Sequence, residues 1–312
     1  MQTKRASAWS AMIVVGCVGL FAGWGCRREA PASQTPKPAE KLVIATSGSD
    51  TMVNLAQMWA EEYQKVAPNV TVEVAGGGSG VGIRDLIQGV VVIANASRDM
   101  EAAEKEQAKR NTGKEPIEWV VAYDALAVYV NKNNPVDTLA FEDLSGIYVE
   151  GGAISAWSQL GVDLKAAGGN DEIVRVSRQN SSGTYAYFRE KVLNKKDFKM
   201  GSKDMSGSKD VVELVARTAG AIGYSGMGYL TDGVKFVKIA PKKGAPGVSP
   251  TLENVLAKKY PLARSLMMCT LGQPEAHVKA YIDWILSPAG QEVVKKAGYI
   301  PAAAVQEGQT NP

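Results

Sequence analysis

Histidine and cysteine are scarce in this sequence. Its 312 residues contain one histidine, His277, and three cysteines. Only Cys269 lies far from the N-terminus, inside the apolar run 266–269, where we predict a buried small side chain. No spacing of Cys and His suits a zinc site, and no disulfide is required within the folded part. The sequence therefore predicts no metal site and no cofactor.

A strong charge bias is also missing. Charged residues make up 21% of the chain, the formal net charge is +3, and no long basic run occurs. This balance gives no support to a nucleic-acid-binding surface, so we predict that nucleic acid is not a partner. The 45% hydrophobic content of a 312-residue chain is enough for two lobes or for one large domain.

Motifs of common enzymes are lacking as well. No Gly-rich turn is followed by Gly-Lys-Ser/Thr, so a nucleoside-triphosphate site is not predicted. No Ser lies in a G-x-S-x-G elbow, and His277 is the single histidine available as a base. Residues 206–209 match S-x-x-K, a pattern that is common by chance, within a Gly/Ser/Lys-rich loop. We predict no catalytic residue and no enzyme activity, with a serine hydrolase as the less favoured alternative.

The N-terminus has the features of an export signal. A short basic region precedes an apolar stretch over residues 11–22, which is too short for a membrane span. Because Cys26 follows a small residue there, we expect a lipoprotein-type signal over residues 1–26, lipidated at Cys26. Cys17 is the competing lipidation site, and a signal without lipidation is a further alternative. The protein would then be exported and lipid-anchored to a membrane, at the periplasmic face or the cell surface, by a flexible Pro-rich linker over residues 27–40.

From residue 41 onward, strand-like and helix-like runs alternate. Residues 70–74 alternate as a strand, and residues 90–94 form a continuous apolar run that is typical of a central parallel strand. Residues 119–130 hold two strand-like pieces, and residues 276–297 have the pattern of a helical region with a new turn at Pro288. This rhythm predicts an α/β architecture with parallel sheets covered by helices.

Three times, a strand-like run ends in a Ser/Gly-rich turn that opens a helix-like run. The turns are residues 47–51, 76–80 and 180–184. Small hydroxyls and unpaired backbone N–H groups at a helix start favour an anion. Arg178 lies four residues before Ser182, at the end of a predicted strand, and is placed to add a bidentate charged contact. Together these features predict a binding protein for one small oxyanion.

Several motifs, taken in order, give the chain a resemblance to a known family. The motifs are residues 48–51, 78–83, 93–98, 178–184, 220–224, 260–264, 284–291 and 298–301. Each motif alone is weak, but their order and spacing together are specific. The chain resembles the phosphate-binding subunit of bacterial ABC phosphate importers, over essentially all of residues 41–303.

That resemblance implies a type II periplasmic-binding-protein fold, in which two α/β lobes are joined by two crossing segments. Lobe I would comprise residues 41–124 and 265–306, lobe II residues 125–264, and residues 307–312 a polar tail. The implied function is high-affinity capture of inorganic phosphate in the cleft between the lobes. Delivery to the permease of an ABC transporter would follow, with the permease reading lobe closure. We expect a monomer.

The resemblance also implies which residues bind phosphate. Carried over position by position, it gives Thr51, the Met52 amide, Ser79, Arg178, Ser182, Gly183 and Thr184. Ser49, a neighbouring hydroxyl in the first turn, is added to this set.

One position departs from the family pattern. Relatives usually carry Asp where this chain has Val92, and that Asp is thought to accept a hydrogen bond from protonated phosphate. A carboxylate there would also repel a fully ionised anion such as sulfate. Without this Asp, the alternative that the protein binds another tetrahedral oxyanion, such as sulfate or arsenate, stays open. Asp50 or Asp124 could supply the acceptor instead, with Val92 merely extending the apolar strand.

Overall fold

A computed structural model of the chain describes residues 41–165, 168–302 and 304. The predicted signal, its two candidate cysteines, the linker and the tail from residue 307 lie outside the described residues. Among the helices that the structure describes, none is both long and apolar enough to cross a membrane.

The first part of the fold is a parallel sheet with helices, as the sequence predicts. Its strands are β1 (Leu42–Gly48), β2 (Val70–Gly77) and β3 (Ile93–Ala96), and its helices are α1 (Val53–Val66), α2 (Ser79–Ile87) and α3 (Ala102–Thr112). β1 lies between β2 and β3 and is parallel to both. Helix α1 buries Leu55, Ala56, Trp59 and Tyr63, which recur at helical spacing. It ends just before Pro68, which cannot continue a helix.

Two sequence predictions about strands need correction. The apolar run at residues 90–94 does not form a strand along its whole length, because β3 begins only at Ile93 and the Val90 and Val92 side chains are exposed. The two strand-like pieces within residues 119–130 are one strand, β4 (Pro116–Asn131).

Strand β4 joins two groups of strands because it changes partner along its length. Its residues 116–125 pair antiparallel with β10 (Ala263–Leu271), whereas residues 126–131 pair with the strands that lie at 221–226 and 234–240. The predicted lobe boundary at 124/125 falls beside this change of partner, and the other boundary, at 264/265, falls within β10. Both boundaries remain a proposal.

The second part of the fold is built on the distal half of β4. Its elements, in chain order, are β5 (Thr138–Ala140), α4 (Phe141–Tyr148), β6 (Val174–Arg178), α5 (Gly183–Lys191), β7 (Lys203–Met205), α6 (Ser208–Ala216), β8 (Ala221–Gly226), β9 (Val234–Ala240) and α7 (Leu252–Leu256). The chain then returns through β10 to α8 (Ala276–Leu286), α9 (Pro288–Lys296) and β11 (Ile300–Pro301). The main sheet runs in the order β2-β1-β3-β10-β4-β8-β6-β7.

Three apolar cores hold these layers together. One contains Trp59 and Tyr281 from helices α1 and α8, and the second contains Trp157 and Phe188 around the β4–β8 region. The third lies between α2, α3 and β10 and includes Cys269, which confirms its prediction as a buried side chain. Burial raises the pKa of the Cys269 thiol. The thiol is therefore held as a neutral packing group.

Candidate functional site

The first Ser/Gly turn connects β1 to α1 and is fixed by the neighbouring strand. Gly48 has φ +133°, and a Cβ there would lie 2.2 Å from the Asn95 carbonyl oxygen, so only glycine fits. The Ser49 N–H donates to that same carbonyl at 2.8 Å, and the Met52 N–H donates to the Ser49 carbonyl at 2.9 Å. The Met52 amide, a predicted ligand, is therefore engaged inside the turn, and its side chain belongs to the core.

Two tyrosine hydroxyls also hold the backbone of this first turn. The Tyr229 hydroxyl donates to the Asp50 carbonyl, and the Tyr299 hydroxyl donates to the Thr51 carbonyl, each at 2.7 Å. The Asp50 Oδ1 accepts a hydrogen bond of 2.8 Å from the Gly77 N–H of the second turn. The position of Thr51 is thus determined by groups that lie far from it in sequence.

The second turn connects β2 to α2. Gly78 has φ +97°, which favours glycine, and Ser79 is the first residue of α2. The Ser79 Oγ accepts a hydrogen bond of 3.1 Å from the Ser97 N–H and lies 3.3 Å from the Ser97 Oγ. Ser97 follows β3 directly, so this contact brings the carboxyl end of a third strand to the site.

The third turn connects β6 to α5. Ser182 is the N-cap of α5, and its Oγ accepts hydrogen bonds from the N–H groups of Thr184 and Tyr185 at 3.2 and 3.4 Å. A Cβ at Gly183 would lie 2.3 Å from the Ser79 Oγ and 2.7 Å from the Ser97 Oγ. Glycine at this position therefore lets the third turn approach the second.

All three turns converge on one place. The Thr51 and Thr184 hydroxyl oxygens lie 2.8 Å apart although the residues are separated by 133 positions. The Gly80 N–H donates to the Ser181 carbonyl, and the Ser181 hydroxyl donates to the Gly77 carbonyl, each at 3.0 Å. The N-termini of α1, α2 and α5 therefore meet, and each contributes a partial positive charge.

Ser49, in the first turn, carries a buried hydroxyl. Its side chain is 2% exposed, and its Oγ has no hydrogen-bond partner among the residues that the structure describes. Burying a hydroxyl without a hydrogen-bond partner costs free energy, and a bound ligand can supply the missing partner. Ser49 Oγ is therefore a candidate for contact with a ligand.

Arg178 lies beside the three turns, but its hydrogen bonds go to protein groups. Its Nη2 donates to the Asp50 Oδ2 at 2.8 Å and to the Ser206 carbonyl at 2.9 Å. Its Nη1 donates to the Ser208 Oγ at 3.0 Å, and its Nε donates to the Met205 carbonyl at 3.3 Å. Burial lowers the pKa of this guanidinium, and the charge of Asp50 opposes that change. Four of its five N–H groups thus have protein partners.

A second arginine, Arg264, lies closer to the predicted hydroxyl ligands. Its Nη2 is 3.0 Å from the Thr184 Oγ1 and 3.3 Å from the Thr51 Oγ1. Its Nε and Nη2 also donate to the Asp124 Oδ2 at 2.9 and 2.8 Å. The site prediction from sequence missed Arg264, although the residue ends one of the motifs behind the family resemblance. Its position at the start of an apolar strand gave no local sign that it reaches this site.

Asp124 is fully buried between these groups. Burial raises the pKa of its carboxyl, while the nearby charge of Arg264 opposes the change. Its Oδ1 accepts a hydrogen bond of 3.0 Å from the Met227 N–H. With Asp50 and Arg178, the site therefore holds two arginines and two aspartates, whose formal charges cancel.

The concern that Val92 replaces an anion-selecting carboxylate in this site is wrong. Val92 precedes β3, its side chain is 45% exposed, and its N–H donates to the Ala45 carbonyl. The site lies at the opposite end of β3, beyond Ser97, roughly 16 Å away at about 3.3 Å per strand residue. A side chain at position 92 is therefore at the wrong end of the strand to reach the three turns.

A groove adjoins the site. Its volume is about 770 Å³, and its walls include Arg98, Asn180, Tyr187, Lys191, Arg264 and Ser265. Arg264 belongs to both the groove and the cluster of hydroxyls, so the groove reaches the site through this residue.

Comparison with known proteins agrees with this architecture. A family model described as the PBP superfamily domain matches residues 29–289. The fold is that of type II periplasmic binding proteins. A crystal structure of a Clostridium perfringens protein, described as a phosphate ABC transporter substrate-binding protein with bound phosphate, has a TM-score of 0.72 and 32% identity to this chain. The match covers 83% of this chain and 99% of that one.

Two sequence relatives are named as phosphate-binding proteins PstS. The Pseudomonas aeruginosa protein is 35% identical over 271 residues, which cover 84% of this chain and 83% of the relative. The Bacillus subtilis protein is 32% identical over 272 residues, which cover 86% of this chain and 84% of the relative. The chain belongs to the PstS family of the PBP superfamily.

Proposed function

We propose that this protein captures inorganic phosphate at the convergence of the three turns and delivers it to the permease of an ABC importer. The observation that carries the proposal is the meeting of the Thr51 and Thr184 hydroxyls, 2.8 Å apart, where three helices begin. The names of the relatives support phosphate as the anion.

The chemistry of the convergence suits a small oxyanion. Hydroxyls and backbone N–H groups at helix starts donate hydrogen bonds without introducing mobile cations. The formal charges of the two arginine–aspartate pairs cancel. An entering anion would therefore be attracted mainly by the helix N-termini and by hydrogen bonds from guanidinium N–H groups. The proposed ligands are those of the sequence prediction: Ser49, Thr51, Met52, Ser79, Arg178, Ser182, Gly183 and Thr184.

Binding would require some of these groups to change hydrogen-bond partners, including the Met52 N–H, which donates to the Ser49 carbonyl in the structure. Phosphate oxygens would replace the hydroxyl contacts between Thr51 and Thr184 and between Ser79 and Ser97. One Arg178 N–H has no hydrogen bond to the described residues and could donate to a phosphate oxygen. Donors come from turns on both sides of β4, so the anion would favour the arrangement in which the proposed lobes are closed.

Selectivity for another oxyanion has lost its support. The sulfate or arsenate alternative depended on Val92, whose exposed side chain lies at the far end of β3 from the three turns. Asp50 and Asp124 both lie beside the convergence, so either carboxylate could accept a hydrogen bond from a protonated phosphate oxygen. We propose phosphate over sulfate on this basis.

A solute-binding role also fits the positions of the possible catalytic groups better than hydrolysis. His277 lies on α8 with its Nδ1 3.6 Å from Glu275, and none of its hydrogen bonds in the described part reaches a site serine. The S-x-x-K match contains Ser206 and Ser208. The Ser206 hydroxyl donates a hydrogen bond to Asp210, and the Ser208 hydroxyl accepts one from Arg178. Among the described residues, no hydrogen bond joins a candidate serine nucleophile to His277, so we favour solute binding over hydrolysis.

Calorimetry on the purified protein tests the proposal. Phosphate and sulfate are titrated at several pH values, and phosphate is expected to bind more tightly at each. Arg178→Ala should weaken phosphate binding by about 2–5 kcal/mol, as expected when a buried charged partner of an anion is removed. Tighter binding of sulfate would overturn the assignment of phosphate, and unchanged affinity in the variant would remove Arg178 from the site.

The lipid anchor and the monomeric state are separate proposals. Lipidation at Cys26 would hold the protein to a membrane near the permease, on the periplasmic face or the cell surface. Mass spectrometry of the native N-terminus distinguishes modification at Cys26 from modification at Cys17 and from an unlipidated end. Light scattering with and without phosphate measures the molar mass in solution and so tests whether the protein is a monomer.

A further inference from the structure

We propose that Arg264 is a positioning residue that orients the hydroxyl groups of Thr51 and Thr184 as donors to the bound anion. The inference rests on the proposed function, because it assigns a role to a residue that the eight proposed ligands do not include. It explains how neutral hydroxyls in the site become strong hydrogen-bond donors to an anion.

The first step is geometric. The Nη2 of Arg264 lies 3.0 Å from the Thr184 Oγ1 and 3.3 Å from the Thr51 Oγ1. These contacts join residues that are 80 and 213 positions apart in the chain. One nitrogen therefore touches both hydroxyls at the place where the first and third turns meet.

The second step concerns the direction of the hydroxyl hydrogens. A guanidinium can only donate. One of the two Nη2 hydrogens goes to Asp124, so the two threonine oxygens share the other N–H and each accepts it through a lone pair, with Thr184 the nearer. Each hydroxyl then keeps its single hydrogen for another acceptor. In the structure one of these hydrogens lies between the two threonine oxygens, 2.8 Å apart, and either hydroxyl can be its donor. An anion oxygen placed between them could take both.

The third step is electrostatic. A hydroxyl that accepts a hydrogen bond from a cation becomes a stronger donor, because hydrogen bonds in a chain polarise one another. Both threonines are buried, so water does not screen this effect. Arg264 would thus strengthen two donors at once while remaining outside the anion's own contacts.

The surroundings of Arg264 suit a fixed rather than a mobile group. The Asp124 Oδ2 accepts from its Nε and Nη2, and the Ser97 carbonyl accepts from its Nη1 at 3.2 Å. The Tyr187 ring lies under the guanidinium, 5.6 Å from centroid to carbon, and the Tyr187 hydroxyl donates to the Ala263 carbonyl at 2.6 Å. Because Asp124 is a carboxylate in direct contact, Arg264 contributes little net charge of its own.

A double-mutant cycle separates positioning from an independent charge effect. Phosphate affinity is measured by calorimetry for the full-length protein and for Arg264→Gln, Thr184→Val and the double variant. Arg264→Gln is expected to weaken binding about 10- to 100-fold, the range for a charge-assisted hydrogen bond. In the Thr184→Val background, the same change should cost at least about threefold less, because the hydroxyl through which Arg264 acts is gone.

Arg189→Gln is the matched control. Arg189 lines the same groove, and its guanidinium pairs with Asp197 on the surface rather than with a site hydroxyl. Its substitution should leave phosphate affinity unchanged. If Arg264→Gln does not fold, the cycle is repeated with Arg264→Lys. This variant keeps the charge beside Asp124 but loses the planar fork, so an intermediate loss is expected.

The outcomes are distinct. An equal fold-loss from Arg264→Gln in both backgrounds would show that Arg264 acts independently of Thr184, and unchanged affinity would show that it does not act on the site; either result overturns the inference. Wild-type affinity in both Thr184→Val and Thr51→Val would instead overturn the site in the proposed function.

Discussion

The Arg178 guanidinium and the Asp50 carboxylate form an ion pair that ties the first turn to the strand leading into the third. Their Nη2 and Oδ2 atoms are 2.8 Å apart, and the side chains are 0% and 13% exposed. The other Asp50 oxygen accepts from the Gly77 N–H of the second turn. A single carboxylate therefore connects all three turns that form the proposed phosphate site.

Asp50→Asn should destabilise the protein, because Arg178 would lose its carboxylate partner while remaining buried. Breaking a buried pair in this way costs about 3 kcal/mol or more, although the asparagine oxygen can still accept one hydrogen bond. Urea unfolding monitored by circular dichroism measures the change. Asp197→Asn is the control, since Asp197 is 83% exposed in its pair with Arg189 and its substitution should have no measurable effect. Equal midpoints for the two variants would mean that the buried pair adds nothing to stability.

Ser181→Ala should weaken the connection between the second and third turns. The Ser181 hydroxyl donates to the Gly77 carbonyl at 3.0 Å, and its loss leaves that carbonyl without this partner. We expect a loss of about 1 kcal/mol in phosphate binding, close to that of one neutral hydrogen bond. The measurement is the rise in melting temperature that saturating phosphate produces.

Loss of this hydrogen bond also lowers stability without phosphate, so the phosphate-induced rise is compared within each variant. This rise should be smaller in Ser181→Ala than in the wild type. Ser202→Ala is the control, because the Ser202 hydroxyl donates to the Lys199 carbonyl away from the site. A full phosphate-induced rise in Ser181→Ala would show that this contact has no part in binding.

Gly183→Ala should disrupt the site without unfolding the protein. The added methyl would lie 2.3 Å from the Ser79 Oγ, which forces the second and third turns apart. We expect phosphate affinity to fall by about 100-fold or more, which corresponds to roughly 3 kcal/mol. Isothermal titration calorimetry measures the loss.

Gly113→Ala is the matched control for that variant. Gly113 caps α3 with φ +71°. Apart from its neighbours in the chain, no atom of the described residues lies within 4 Å of its ideal Cβ, so alanine there costs stability through backbone strain. Its phosphate affinity should be that of the wild type. Comparable affinities for the two glycine variants would place Gly183 outside the phosphate site.

Val92→Asp should change neither phosphate affinity nor the preference for phosphate over sulfate. The side chain at this position is exposed and lies at the far end of β3 from Ser97. Competition binding with both anions at neutral pH and at acidic pH tests this expectation. A gain in selectivity against sulfate would mean that position 92 reaches the anion after all.

Local patterns in the sequence predicted the architecture well because the underlying interactions are local. The helical spacing of Leu55, Trp59 and Tyr63 produces an apolar face on α1, and Gly48 and Gly78 permit the backbone angles of the turns. The same reasoning failed at residues 90–94. An apolar run does not by itself show where a strand begins, and β3 starts only where its residues find partners in β1.

Periodicity and turn chemistry act over a few residues, so the sequence predicted the alternation of strands and helices and the three hydroxyl-rich turns at helix starts. Which group each arginine faces depends instead on the folded chain. Arg178 pairs with Asp50, 128 positions away, while Arg264 reaches Thr51 across 213 positions. The fold also leaves the Val92 side chain exposed at the far end of β3. Such pairings depend on how β4 and β10 bring distant strand ends together, and no local pattern records that.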